Sequence, residues 1–147
     1  MIVVVGFNPN KNYPVPPHDR AELTRRMLQD TPASNVRVQV VKGYIWRHVK
    51  GEGALLFVRG IRSWRKDGVD ERSLQILNTW GPLLLGPLWW PLPTIFLEGK
   101  PEYNHVSSTL IRDICKTQDA NSAREELSRL VPRSIVTDVA RLYGTAR

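Results

Sequence analysis

Two periodicities alternate along the chain. Met1 to Gly6, MIVVVG, is an unbroken β-branched run, the pattern of a strand buried on both faces of a parallel sheet. An Asn- and Pro-rich loop, NPNKNYPVPP, follows, and then His18 to Leu28 takes helical spacing, with Leu23 and Met27 on one face. Asn35 to Val41 alternates as a second strand, and Ile45 to Lys50 reads as a short helix closed by Gly51 and Gly53. Ala54 to Val58, ALLFV, predicts a third buried strand, which Arg59-Gly60-Ile61-Arg62 leaves. Glu71 to Thr79 is helical, Thr94 to Leu97 is a fourth strand, and Ser107 to Cys115, Ser122 to Leu130 and Ile135 to Tyr143 supply three more helices. Strands and helices alternating at this spacing imply a Rossmann-like α/β fold, an open parallel sheet with flanking helices. There is no internal repeat and no interdomain linker, so residues 1–147 are expected to form one domain.

Composition narrows this picture a little. The single Cys115 excludes an internal disulfide and mildly favours a reducing compartment. A formal charge of +7 suits an anionic partner, whether a nucleotide, a nucleic acid or an acidic lipid. The longest apolar run, Trp80 to Leu97, contains Pro82, Pro87, Pro91 and Pro93, which would interrupt the backbone bonding of a spanning helix, so no membrane insertion is expected. MIVVVGFNPNK has no basic segment ahead of its apolar run, so a cytoplasmic location is expected, with an organellar one left open.

Open parallel sheets bind ligands outside the carboxyl ends of their strands, so the segments leaving each strand carry the chemistry. Lys11 follows the first strand, and Arg59 and Arg62 follow the third. A lysine is a point charge for phosphate, and arginines are planar forks that hold it bidentately. Ser107, Ser108 and Thr109 open a helix, where free amides and the dipole favour an anion. Each signal also fits an ordinary role: a solvated loop lysine, arginines neutralising nearby acids, a helix N-cap. Their joint placement argues for a polyphosphate cradle. His18 and His48 fit surface positions, whereas His105, within YNHVSST, could face a ligand. The five tryptophans, Trp46, Trp64, Trp80, Trp89 and Trp90, do not interleave with a basic stripe and read as core or interface anchors. No spacing suggests a zinc site, an acyl-transfer triad or a P-loop.

The series NPNK, then RGIR, then YNHVSSTLIRD, with LVP at Leu130 to Pro132 before a last helix, resembles the phosphopantetheine adenylyltransferases of the nucleotidylyltransferase superfamily. The similarity runs from about Ile2 to Tyr143. It implies transfer of an adenylyl group from ATP, with magnesium, to 4′-phosphopantetheine, giving dephospho-coenzyme A and pyrophosphate. By the same resemblance, Lys11 and Arg59 serve the reacting phosphate as catalytic and substrate-binding residues, and Ile45 contacts the pantetheine arm. Gly60, Ile61 and Arg62 contact ATP, Glu71 matches a glutamate near the nucleotide, and Tyr103, Asn104, His105, Val106, Ser107, Ser108 and Thr109 hold adenine and triphosphate. A homo-oligomer is implied as well, with no nucleic-acid or membrane partner and no protein-bound metal.

Two features depart from the family. The family opens with a strand, a glycine-containing loop and a His-X-Gly-His motif, and this sequence has no such motif. It starts at what the family would call its second strand. The expectation is therefore a chain whose first strand-helix unit is missing, by truncation most simply, or one whose strands pair across the gap, or one completed by a separate chain. The second departure is GPLLLGPLWWPLP, longer and more apolar than its bacterial counterpart and equally suited to an assembly surface or a core loop. Ligand binding with little or no turnover is expected of these residues. The alternatives are a non-catalytic nucleotide- or coenzyme-A-binding module of the same fold, or a basic RNA-associated relative.

Overall fold

A computed structural model describes residues 1–7, 12–29, 31–32, 35–84 and 91–144, except for the side chains at positions 66, 68–71, 74 and 82. The element order is β1 (Ile2–Phe7), α1 (Pro17–Gln29), β2 (Arg37–Lys42), α2 (Ile45–Gly51), β3 (Phe57–Ile61), α3 (Trp64–Leu84), β4 (Thr94–Glu98), α4 (Ser108–Thr117), α5 (Ala120–Leu127) and α6 (Val136–Tyr143). Short 3₁₀ turns at Pro101–Tyr103 and Arg133–Ile135 precede α4 and α6. The fold is α/β, with parallel strands flanked by helices, as the sequence pattern implies. The strands form two two-stranded parallel sheets, β1 with β2 and β3 with β4. The chain divides into two compact units, residues 1–43 with 106–147, and residues 44–105.

In the first unit, β1 and β2 pair in register from Ile2 with Arg37 to Phe7 with Lys42, and α1 connects them. Pro17 opens α1, where its fixed φ suits the first helical position and its missing N–H is not needed. The core of this unit is mostly helical. Ile114 and Cys115 of α4, Ala123 and Leu127 of α5, and Ile135, Val136 and Val139 around the start of α6 pack together, with Leu23 and Met27 of α1 against them. The Leu23 and Met27 face read from the sequence is thus the face that packs. β1, expected to be buried on both faces, is half-buried along its whole length, because among the described residues β2 alone pairs with it. The Cys115 thiol is buried, which pushes its pKa up and leaves it a poor nucleophile.

Two carboxylates tie this unit together. Asp119 caps α5, accepting from the Asn121 and Ser122 amides at 3.0 and 3.1 Å. Asp138 of α6 accepts from Arg141 at 2.9 Å and from Arg26 of α1. The Ser122 bonds at the cap hold Asp119 below the usual carboxylate range, and the Arg141 and Arg26 guanidinia do the same for Asp138. A carboxylate whose pKa is lowered on folding adds stability above the ordinary carboxylate range and loses it as pH falls through the folded value. The melting midpoint is therefore expected to fall on acidification past that range. Asp119→Asn and Asp138→Asn should each flatten the dependence, and a midpoint equally acid-sensitive in both variants would remove these residues as its source.

The first unit's β2 is followed by a left-handed turn at Gly43 (φ +85°), and in the second unit α2 closes at Gly53 (φ +72°), positions where a side chain would strain the backbone. β3 and β4 pair in register from Phe57 with Thr94 to Ile61 with Glu98. β3 starts three residues later than the ALLFV run suggests. Leu55 and Leu56 lie exposed ahead of it, and Arg59, Gly60 and Ile61 are inside the strand rather than leaving it. One face of this sheet, carrying Val58, Ile95 and Leu97, is exposed, so β3 is not the doubly buried strand its composition suggests. α3 is longer at both ends than the helix expected over Glu71 to Thr79, and it continues through Pro82. Pro82 has no N–H and so removes one backbone bond from the helix. Trp46 is the central anchor here, 2% exposed. Trp64 packs on Phe96 with ring centroids 4.8 Å apart, while Trp89 and Trp90 lie outside the described residues. Among the described residues no helix is long and apolar enough to cross a membrane.

Candidate functional site

The carboxyl ends of β3 and β4 are joined by the Gly99 amide, which donates to the Ile61 carbonyl at 2.8 Å. Around this junction lies a hollow of about 420 Å³ lined by Gly60, Ile61, Arg62, Asp67, Gly99, Lys100, Tyr103 and Asn104. It occupies the place where parallel sheets take ligands, and its size falls within the range of small-molecule sites. The Pro101–Tyr103 turn forms its rim. There the Tyr103 amide bonds to the Lys100 carbonyl at 3.0 Å, and the Asn104 amide to the Pro101 carbonyl at 3.1 Å.

Two cations face this space. Arg62 is held by Asp67 of the first turn of α3. Its Nε donates to Asp67 Oδ2 at 3.2 Å, its Nη2 to Oδ1 at 2.5 Å, and its backbone amide to Oδ2 at 2.9 Å. These bonds hold the Asp67 carboxyl below the usual carboxylate range and raise the Arg62 guanidinium. Lys100 reaches Glu102 at 3.9 Å, with both side chains mostly in solvent, a pairing too weak to withhold the ammonium from a ligand. The hollow thus presents one fixed fork and one mobile point charge, a set suited to phosphate oxygens. It does not present a general base, since Asp67 is committed to Arg62.

Of the residues expected from the sequence, Gly60, Ile61, Arg62, Tyr103 and Asn104 meet in this hollow. Arg59 is half-buried within β3, between Val58 and Gly60 in the strand alternation, and is not among the residues lining the hollow. His105 is exposed just after the rim. Ile45 is the half-buried first residue of α2. Val106, Ser107, Ser108 and Thr109 belong to the other compact unit. Lys11 lies outside the described residues, and Glu71 falls on α3 with its side chain outside them.

The serine-led helix start divides its roles. Ser107 is the N-cap, its hydroxyl accepting from the Leu110 amide at 3.2 Å, so α4 begins at Ser108. The Thr109 hydroxyl accepts from Arg112 at 3.1 Å. Ser108 lines a hollow of about 350 Å³ in its own unit, together with Arg20, Thr24 and Tyr143. Arg20 stacks over the Tyr13 ring at 4.3 Å, and its Nε and Nη2 are buried without a hydrogen-bond partner among the described residues.

Sequence reasoning did not single out Asp67, Lys100 or Arg20. A signal existed for Lys100, which follows the fourth strand as Lys11 follows the first. Asp67 gave none without knowing where β3 ends and α3 begins. Among the described residues, no group of three or more His, Cys, Asp and Glu side chains could hold a metal ion.

No family model matches the chain. Individual relatives do. A Rhodopirellula baltica protein named phosphopantetheine adenylyltransferase is 30% identical over 136 residues, covering 92% of this chain and 69% of its own length. A Kocuria rhizophila protein of the same name is 32% identical over 114 residues, with 78% of this chain and 67% of its own covered. A third, from Gloeothece citriformis, is 29% identical over 144 residues, covering 98% of this chain and 82% of its own. The similarity spans both compact units, from the strands to the terminal helices, and its extent assigns the chain to the phosphopantetheine adenylyltransferase family.

Proposed function

We propose that this chain binds ATP and 4′-phosphopantetheine and serves adenylyl transfer between them. The observation that carries this reading is the hollow at the carboxyl ends of β3 and β4, with the Arg62 fork anchored by Asp67 and Lys100 beside it. In the reaction, a phosphate oxygen of 4′-phosphopantetheine attacks the α-phosphorus of ATP in line. The bond to the bridging oxygen breaks, and pyrophosphate leaves with the electron pair. The protein's part is placement and charge stabilisation rather than covalent chemistry. Arg62 and the Gly60-Ile61 backbone hold the nucleotide's phosphates, and Tyr103, Asn104 and His105 its adenine end. The family resemblance assigns Val106, Ser107, Ser108, Thr109 and Glu71 to the nucleotide as well. Lys11 and Arg59 serve the reacting phosphate, and Ile45 receives the pantetheine arm. ATP enters as its magnesium complex, the metal carried by the nucleotide's own oxygens, and the working form is a homo-oligomer in the cytoplasm.

A second reading is favoured by one observation. The three histidines are His18, His48 and His105, and none forms His-X-Gly-His. A nucleotide- or coenzyme-A-binding module without turnover is therefore the alternative. Calorimetric titration of the 147-residue chain with ATP, and a pyrophosphate-release assay, separate the two. Binding with release supports the enzyme, and binding without it supports the module. Arg59→Ala and Arg62→Ala should each weaken ATP binding by roughly ten- to a hundredfold, the range for a charge-assisted hydrogen bond. Unchanged affinity in Arg62→Ala would remove the hollow as the nucleotide site, and unchanged affinity in Arg59→Ala would remove that residue from ATP binding.

A further inference from the structure

The Asp67–Arg62 pair is more than an ion pair at a helix start. An exposed salt bridge made for stability has no need of particular edges. Here Asp67 takes the inner edge of the guanidinium, through Nε and one Nη2 hydrogen, and the backbone amide of the same residue as well. A guanidinium has five N–H donors in a rigid plane. One N–H on Nη1, with the second on Nη2, makes up the outer edge, and the described bonds of Arg62 leave that edge unused. Both residues line the hollow, with side-chain exposures of 44% for Arg62 and 18% for Asp67, so the arginine reaches out and the aspartate sits behind it.

We infer that Asp67 is a positioning residue. It fixes the Arg62 plane so that the outer edge is presented to the phosphate chain of a nucleotide before the nucleotide arrives. The side chain of a free arginine loses rotamer entropy when it is fixed, and pinning it beforehand moves that loss out of the binding step. The inference rests on the hollow being the phosphate site of ATP.

The sign of one substitution decides it. Asp67→Asn keeps an oxygen for the Arg62 amide, so the start of α3 is retained, but it loses the charge and one of the two guanidinium bonds. If Asp67 merely competed with the ligand for Arg62, removing its charge would tighten ATP binding. If it positions Arg62, ATP binding weakens, by about tenfold for the loss of one charge-assisted bond. Adenosine, which has no phosphate, should bind Asp67→Asn as it binds the unaltered chain, and the melting midpoint should hardly move. In an Arg62→Ala background, Asp67→Asn should add nothing.

Titration with ATP and adenosine across the four proteins reads all of these. Tighter or unchanged ATP binding in Asp67→Asn, with Arg62→Ala weakened, overturns the positioning role and leaves the ATP site standing. An equal loss for adenosine also overturns it, because the change would then be structural. Unchanged ATP binding in Arg62→Ala overturns the site itself, and the inference with it.

Discussion

Leu127→Ala is expected to destabilise the protein by about 2–5 kcal/mol, the range for truncating a buried leucine. Leu127 is fully buried at the end of α5, in a cluster built from α4, α5 and the start of α6. Its backbone is committed too, since its carbonyl accepts from the Leu130 and Val131 amides, each at 2.9 Å. The turn after α5 therefore resists the local collapse that would shrink the cavity, which argues for the upper half of the range. Urea unfolding followed by far-ultraviolet circular dichroism is the right measurement, because all five tryptophans lie in residues 44–105, outside this unit. A loss below about 1 kcal/mol would mean that the site relaxes and that the helical cluster is not the core.

Much of the secondary structure was legible because its signals are local. The β-branched run at Val3 to Val5, the 3.6-residue spacing of α1, and the serine cap of α4 each act within a few residues, and each element lies within a few residues of its expected place. β3 was displaced because its start is set by a distant partner. The Phe57 amide bonds to the Pro93 carbonyl at 2.8 Å, so β4 selects which part of ALLFVRGI becomes ladder. The apolar leucines ahead of it are left outside. α3 was underestimated because Asp67 satisfies the Arg62 amide from inside the helix, a back-reaching cap with no serine or threonine side chain to announce it.

The candidate site was half legible for the same reason. The resemblance supplied Gly60, Ile61, Arg62, Tyr103 and Asn104, and these do line one hollow. Asp67 joins them through its bonds to Arg62, five residues before it, and Lys100 because the β3–β4 ladder brings the two strand ends side by side. Arg59 illustrates the opposite case. Three residues from Arg62 it looks equivalent, but it sits mid-strand, where alternation turns successive side chains to opposite faces. The two arginines should therefore differ in what they report. On the proposed function, Arg62→Ala should weaken ATP alone and Arg59→Ala 4′-phosphopantetheine as well, which titration with each substrate reads.

Trp46→Ala is expected to cost about 3–5 kcal/mol, since the indole is buried almost completely in a short helix with few other anchors. Its companion is Gly81 on α3. A Cβ there would lie 2.6 Å from Trp46 Nε1 and 3.0 and 3.1 Å from two ring carbons, so the helix can approach the indole only because residue 81 has no side chain. Gly81→Ala alone should therefore destabilise by about 1–3 kcal/mol through overpacking, even though alanine is the better helix former by about 1 kcal/mol. In a Trp46→Ala background the obstruction is gone. The same glycine-to-alanine change should then become neutral or stabilising, because the new methyl enters a cavity. Urea unfolding of the two single variants and the double variant measures this coupling directly. Additive losses would show that the indole and the glycine are not in contact, and that α3, which carries Asp67 at its other end, is held against α2 by something else.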